Sequence, residues 1–343
     1  MYSFKNDYSE GAHSTILEAM LRSNLEQTPG YGDDKYTEEA KTLIKKEIGR
    51  EDVLIQLFVG GTQTNLTAIA SFLRPHQAAI AVETGHIATH ETGAIEATGH
   101  KVLTTKGIDG KLTVEDIKQV LAAHTDEHMV RPKLAYISNS TEIGTHYTKK
   151  ELMDLYATCQ ELNLFLFIDG ARVGSALCAE DNDLTMKDLA QYSDAFYIGG
   201  TKNGALMGEA LIICNDLLKE DFKHLTKQRG ALLAKGRLLG IQFAELFRDG
   251  LFYDLAIHAN RQAMRLQEGI EALGYCMSSR SSTNQIFPIF TLEIANKLQQ
   301  KYAFYFWEAI DEKTTSIRLV TSWATTDEAV EAFLNDLEAL TTR

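Results

Sequence analysis

The chain has 343 residues, 44% of them hydrophobic and 24% charged, a composition that suits a folded globular protein and excludes disorder as its main state. Its 47 acidic and 34 basic side chains leave a formal net charge of −13, and an acidic surface of that kind repels a nucleic-acid backbone. The length exceeds what one core usually supports, so two packed domains are expected, and the classes left open are a small-molecule enzyme and a protein-binding scaffold.

In chain order, the opening Met1-Tyr2-Ser3-Phe4-Lys5-Asn6-Asp7 lacks the apolar stretch of a secretory signal. No later run approaches the roughly 20 apolar residues that cross a bilayer. Cys159, Cys178, Cys214 and Cys276 are widely spaced and form no CxxC pair, which reads as four small core residues in a reducing, cytoplasmic setting.

From about residue 53, short apolar runs alternate with longer amphipathic ones. Val53–Val59, Ala78–Val82, Leu134–Ser138, Leu164–Ile168, Ala195–Ile198 and Ala210–Cys214 read as strands. Lys149–Glu161 reads as a helix, with Leu152, Leu155, Tyr156 and Cys159 at helical spacing. Several strands are apolar throughout rather than alternating, as buried strands of a mostly parallel sheet between helices are. After about residue 228 the pattern changes. Helices are expected from Gly230 towards Phe247 and from Leu251 to about Leu273. Strands at Gln285–Leu292, Tyr302–Trp307 and Ser316–Val320 and a helix at Thr326–Leu340 complete a smaller α+β domain, with the boundary near residue 245. The aromatic run Tyr302, Phe304, Tyr305, Phe306 and Trp307 reads as core or interface.

Ligands of an open α/β sheet bind beyond the carboxyl ends of its strands, so the loops after each apolar run carry the chemistry. After the first comes Gly60-Gly61-Thr62-Gln63-Thr64-Asn65, which suits either an anion cradle at a helix start or a tight turn capped by Thr62. It is neither a Walker loop nor a GxGxxG fingerprint. After Leu164–Ile168 comes Asp169-Gly170-Ala171-Arg172. A carboxylate there needs a partner with a proton or a positive charge, whether ligand or buried ion pair. After Ala195–Ile198 comes Gly199-Gly200-Thr201-Lys202-Asn203-Gly204, where Lys202 reads as an amine nucleophile or as a surface-loop lysine. Together, a phosphate cradle, a buried carboxylate and an accessible lysine after successive strands describe a pyridoxal 5′-phosphate site.

With Tyr31-Gly32-Asp33-Asp34, Gly85-His86 and Ile317-Arg318-Leu319-Val320 added, the chain resembles the threonine aldolase and β-eliminating lyase family over nearly its whole length. The DGAR and GTK elements, with Lys202 following Asp169 by 33 residues, carry most of that resemblance. It implies an aspartate-aminotransferase-like fold of type I with a mostly parallel seven-stranded sheet. It further implies an N-terminal arm with oligomer contacts over 1–35, a large cofactor domain over 36–245 and a small domain over 246–343. Lys202 then matches the Schiff-base lysine, Asp169 the partner of the pyridine nitrogen, and Gly60, Gly61 and Thr62 the phosphate loop. His86 matches a histidine stacked on the cofactor ring. Arg172 and Arg318 match the arginines that hold the substrate carboxylate, and Asn6 falls where the family often has a serine near the substrate. A homodimer or homotetramer with shared sites is implied, with Tyr31 and one of Lys227, Arg229 or Lys235 reaching a neighbour.

The reaction implied is cleavage of a β-hydroxy-α-amino acid, such as threonine or allo-threonine, to glycine and an aldehyde. The nearest rivals on the same cofactor are β-elimination and racemisation, and a non-catalytic homologue is the rival of another class. The base for the β-hydroxyl is open between His86, with His90 one turn on, and a residue of Ser138-Asn139-Ser140-Thr141-Glu142-Ile143-Gly144. Relatives often carry a histidine in that segment, and here Thr141 or Glu142 takes its place; Glu142 is the candidate base. No metal is expected, since an HExxH signature and a third ligand are absent.

Overall fold

The computed structural model describes residues 1–341. A seven-stranded sheet forms its centre, in the spatial order Leu54–Phe58, Glu209–Ile213, Ala195–Gly199, Phe165–Asp169, Arg131–Ser138, Gln77–Val82 and Val102–Thr105. Only Glu209–Ile213 runs against the others. The apolar runs behave as expected of strands covered on both sides. Ile80, Ile137, Leu166, Ile168, Phe196, Ile198 and Ile212 pack into a core on one face, while Ala81, Tyr136, Phe167, Tyr197 and Leu211 pack into a second core on the other. Side chains alternate along a strand, so Asp169 and Glu209, each two residues from Phe167 and Leu211, share the face of Tyr136 and Tyr197. Register brings their chain positions level: Ser138 pairs with Asp169, and Glu209 pairs with both Gly199 and Phe58. One sheet edge therefore collects the loops singled out in the sequence.

A second sheet, in the order Tyr305–Ala309, Thr314–Val320, Gln285–Thr291 and Met277–Ser279, is antiparallel throughout. Ile286, Phe290, Ile317 and Leu319 of this sheet pack with Leu266 and Ile270 of the helix Leu251–Ala272 and with Val330, Phe333 and Leu337 of the helix Asp327–Thr341. Phe4 belongs to the same core, because the short strand Tyr2–Ser3 pairs in parallel with Tyr302–Ala303. The helix Leu251–Ala272 serves both units: Phe252 and Leu255 lie in the first core of the large sheet, Ala263 and Leu266 in the core of the small one.

The α/β fold with a mostly parallel seven-stranded sheet and a small α+β unit is as expected, and all six expected sheet strands form. The seventh, Val102–Thr105, is a four-residue edge strand ending in two threonines, too short and too polar to stand out. The helix expected from Gly230 towards Phe247 begins only at Arg237, as Arg237–Arg248, and a separate helix, Phe222–Gln228, precedes it. Gly230 sits between them at φ 71, a left-handed backbone that ends the first helix. The run Tyr302–Trp307 is likewise two pieces, Tyr302–Ala303 and Tyr305–Ala309, and only the second joins the small sheet.

Candidate active site

Asp169 ends its strand with a carboxylate that is 4% exposed. Four donors converge on it. Tyr136 and Asn65 donate to Oδ2 at 2.5 and 3.0 Å, and Tyr197 and the Ala171 amide donate to Oδ1 at 2.5 and 3.0 Å. Burial pushes this carboxyl up, but His86 and the donated hydrogen bonds outweigh burial and hold it below the usual carboxylate range. The loop that follows must lie close to its neighbour. A Cβ on Gly170 would come within 1.8 Å of the Tyr197 carbonyl oxygen, and one on Gly199 within 2.3 Å of the Ala171 carbonyl oxygen. Only glycine permits that approach, which brings the DGAR and GTK loops together.

Lys202 sits in the turn after Ala195–Gly199, and that turn is clamped in place: the Gly200 and Thr201 amides both donate to the Gly208 carbonyl, at 2.9 and 3.1 Å. Burial and the neighbouring Arg172 push the Lys202 amine below its usual range, while Asp7, Asp169 and Glu209 pull the other way. Arg172 is already engaged. Its Nε and Nη2 fork onto Asp7 at 2.6 and 3.0 Å, and Asn284 Nδ2 donates to the same carboxylate at 2.9 Å. Burial raises the Asp7 carboxyl, but Arg172 and Lys202 more than offset this and hold it low. Glu209 is 3% exposed, its carboxyl lies beside the Thr201 hydroxyl and the Gly200 amide, and its Oε2 has no hydrogen-bond partner. Burial pushes it up to about 8, against the pull of Lys202.

His86 opens a short helix, His86–Thr89, directly after the turn that follows Gln77–Val82. Its Nδ1 lies 2.8 Å from Glu91 Oε1, which also accepts from Asn65 Nδ2 at 2.7 Å. That same Asn65 amide group bridges to Asp169, so His86, Glu91 and Asp169 form one tight cluster cross-linked by an amide. The His86 backbone amide donates to Glu142 Oε1 at 3.0 Å, and Ser138 Oγ donates to the same oxygen at 2.7 Å. Glu142 Oε2 is left without a partner, and burial raises its carboxyl. Burial and the nearby His86 lower His90, which favours a neutral ring.

A cavity of about 510 Å³ gathers Lys202, Arg172, His86, His90, Glu142 and Arg318, with Tyr8, Tyr305, Phe306 and Trp307 completing the wall. Arg318 alternates with the buried Ile317 and Leu319, so its side chain leaves the small core and enters this cavity. Its guanidinium lies over the rings of Tyr305 and Trp307, 5.4 and 5.0 Å from their centres. Burial and the repulsion of Arg172 bring it down to about 10, and its Nε has no partner. The aromatic run thus divides. Tyr302 and Phe304 are core, whereas Tyr305, Phe306 and Trp307 form the wall of the site.

Asp169 does not line the cavity itself but is clustered with His86, which does. Gly60, Gly61 and Thr62 sit at the start of the helix Gly61–Phe72, whose first amides have no carbonyl one turn back. A Cβ on Gly61 would stand 3.0 Å from the Tyr197 hydroxyl, which ties this loop to the Asp169 network. Asn6 turns to its own segment, accepting from the Tyr8 amide and Ser9 hydroxyl at 3.0 Å each. Tyr31 faces a different pocket, of about 220 Å³ with Lys223 and Gln56, and Lys227 lies over its ring. The residues that sequence reasoning passed over are Asp7, Asn65, Glu91, Tyr136, Tyr197 and Glu209. Asn65 closes the Gly60–Asn65 loop, Asp7 follows Asn6 and Glu209 precedes the strand Ala210–Cys214, and those positions were the available signal.

The family profile described as "Beta-eliminating lyase" matches residues 6–292. The chain is similar to the low specificity L-threonine aldolase of a Pseudomonas species, 32% identical over 98% of this chain and 97% of that protein. It is also similar to the solved threonine aldolase of Leishmania major, at 50% identity and a TM-score of 0.98, covering 99% of this chain and all of that one. An aspartate aminotransferase of Thermus thermophilus shares the fold at a TM-score of 0.74 with 15% identity, over 99% of this chain and 91% of that one.

Proposed function

The chain belongs to the threonine aldolase and β-eliminating lyase family, pyridoxal-phosphate-dependent lyases of carbon–carbon bonds, and from that premise we propose how its own residues cleave a β-hydroxy-α-amino acid such as L-threonine to glycine and an aldehyde. The observation that carries the reading is the grouping in one cavity of a half-buried lysine, an arginine with an unpartnered Nε and a carboxyl with an unpartnered oxygen. Orphaned buried polar atoms are costly, and two of them, on Arg318 and Glu142, beside a lysine amine around one space suit a ligand that is at once carbonyl, anion and hydroxyl.

Pyridoxal 5′-phosphate fits these residues, and when bound it supplies an electron sink for the pair released as the Cα–Cβ bond breaks. Lys202 would hold its aldehyde carbon, and Asp169, kept ionised by four donors, would keep its ring nitrogen protonated. The amides that open the helix at Gly61 would bind its phosphate, together with Gly60 and Thr62. His86, with Nδ1 fixed by Glu91, would lie against its ring.

Arg318 binds the substrate carboxylate, a task suited to a planar fork whose stem is fixed by two rings. Arg172, held by Asp7, presents its remaining edge to the same carboxylate. This clamp sets which bond of the α-carbon stands perpendicular to the acceptor plane and hence which bond breaks. Glu142 Oε2 takes the proton of the β-hydroxyl, while Oε1 stays fixed by Ser138 and the His86 amide. His90 is the neutral neighbour that completes this polar side. Tyr31, which faces a separate pocket, serves a neighbouring copy in a homodimer or homotetramer.

The test is purified protein given pyridoxal 5′-phosphate and a panel of L- and D-threonine, L-allo-threonine and phenylserine. The expected result is a yellow protein that forms glycine and aldehyde in equal amounts. Ammonia and a keto acid in their place, or a protein that stays colourless, overturns the reading. Glu142→Ala with unchanged turnover removes Glu142 from its role.

A further inference from the structure

Glu142 sits in a turn, Thr141–Thr145, closed by the Gly144 amide on the Thr141 carbonyl at 3.1 Å and by the Thr141 amide on the Thr145 carbonyl at 2.8 Å. The outward carbonyls of this turn are met by the small unit. Ser279 Oγ donates to the Ile143 carbonyl at 3.0 Å, and Gln285 Nε2 to the Thr141 carbonyl at 3.3 Å. Between them, Ser281 Oγ and Thr283 Oγ1 both donate to the Gly144 carbonyl, at 2.9 and 3.0 Å. These four donors lie on the strand Met277–Ser279, on the first residue of Gln285–Thr291 and on the connection between them. A serine-rich connection ordinarily faces water, yet Ser281 and Thr283 are 3% and 0% exposed. The approach is close: Gly144 has φ 80, and a Cβ there would stand 2.5 Å from Ser281 Oγ. Two hydroxyls on one carbonyl fill both of its acceptor positions.

The same pair of strands carries the substrate clamp. Gln285 pairs with Val320 and Ile286 with Leu319, so Arg318 lies on the neighbouring strand within two residues of the partner of Gln285. The large sheet holds Glu142 by Oε1, through Ser138 and the His86 amide. The backbone beneath that carboxyl is held by the unit that bears Arg318.

We propose that Ser281 and Thr283 are positioning residues that tie the Glu142 turn to the small sheet, so that the base and the carboxylate clamp keep one spacing. A β-hydroxy-α-amino acid carries its carboxylate and its hydroxyl on neighbouring carbons, and the two protein groups that meet them must stand at a matching separation. Neither Ser281 nor Thr283 lines the cavity, and both act through the Gly144 carbonyl.

This rests on Glu142 as the base, and the experiment separates the two. Loaded enzyme is compared as wild type, Ser281→Ala/Thr283→Val, Thr283→Ser and Glu142→Ala. The readouts are kcat and KM for L-threonine, affinity for glycine, and hydrogen–deuterium exchange over residues 139–147. Glycine has the carboxylate and amine of the substrate but no β-hydroxyl, so it reports the clamp without the base. The double variant is expected to lose kcat by about 10–100-fold, the scale of a catalytic group displaced by about 1 Å. Its KM and glycine affinity stay near wild type, and exchange over 139–147 quickens. Thr283→Ser keeps the hydroxyl and with it the wild-type kcat. In a Glu142→Ala background, removing both hydroxyls lowers kcat no further. An unchanged kcat overturns the inference, because a merely structural pair lowers the melting temperature and leaves kcat alone. A kcat loss matched by an equal loss of glycine affinity, exchange at the wild-type rate, or an additive loss in the Glu142→Ala background overturns it too. Should the double variant not fold, Ser281→Ala alone is expected to lower kcat with KM kept, and an unchanged kcat there is equally fatal. Glu142→Ala with wild-type turnover defeats the assignment of the base, and this inference with it.

Discussion

The floor and the wall of the cavity are built on opposite principles. The floor stands on strand ends of the large sheet, and its central carboxylate, Asp169, has every acceptor position used. The wall stands on the small antiparallel sheet, and its cation, Arg318, rests on two aromatic rings with one nitrogen unpaired. A filled network fixes geometry before any ligand arrives, whereas an unfilled one stores affinity for an anion. The floor is therefore expected to govern chemistry and stability, and the wall to govern binding.

The strongest blow to that division comes at Lys202. Lys202→Ala is expected to lower turnover by roughly 10⁴-fold or more, the scale of losing a nucleophile, and to abolish the yellow colour. Steady-state kinetics and a visible spectrum decide it, and residual colour that borohydride removes would place the reactive amine elsewhere. Next comes Asp169→Ala, which strands Tyr136, Tyr197 and Asn65 as unanswered donors. A loss of about 3–5 kcal/mol in a denaturant titration is expected. On the wall, Arg318→Lys keeps the charge but not the fork. It should raise KM by about 10–100-fold, with kcat nearly kept and stability within about 0.5 kcal/mol. A change confined to kcat there would erase the distinction between floor and wall.

The mildest test is titration of folding in the cofactor-free protein. Asp7 and Asp169 are held below their ordinary value of 3.8, so the stability they contribute is fully present above that value and is lost as pH falls through their folded values. Glu209 runs the other way. Raised from 4.5 to about 8, it contributes stability that is present below 4.5 and lost as pH rises through about 8. Melting curves of wild type and Glu209→Gln should then separate in favour of the variant as pH rises from 4.5 to about 8, and curves that stay parallel across that range would count against the assignment.

Much of this was legible in the sequence. Strands such as Phe165–Asp169 announce themselves because burial on both faces demands an unbroken apolar run. The candidate site residues follow because the sheet places them at strand ends. What could not be read is who answers whom. Glu91 and Asn65 lie 26 residues apart and meet at one amide, and Asp7 reaches Arg172 across 165 residues. Tyr136 and Tyr197 read as core aromatics, and nothing in a hydrophobic run tells that a hydroxyl ends on a carboxylate. Glu209 precedes its apolar run by one residue, where a charge looks like the end of a strand rather than its first buried member.

The arm that joins Tyr2–Ser3 to Tyr302–Ala303, and Asp7 to Arg172 and Asn284, has a consequence for the order of events in synthesis. Tyr2 and Ser3 leave the ribosome long before the Tyr302 and Ala303 they pair with. Until about residue 302 has appeared, Phe4 has no core to enter and Arg172 lacks part of its scaffold. A nascent chain can thus assemble most of its large sheet while the pocket stays unfinished, and closure of this arm onto the later-made small sheet would be the act that completes it.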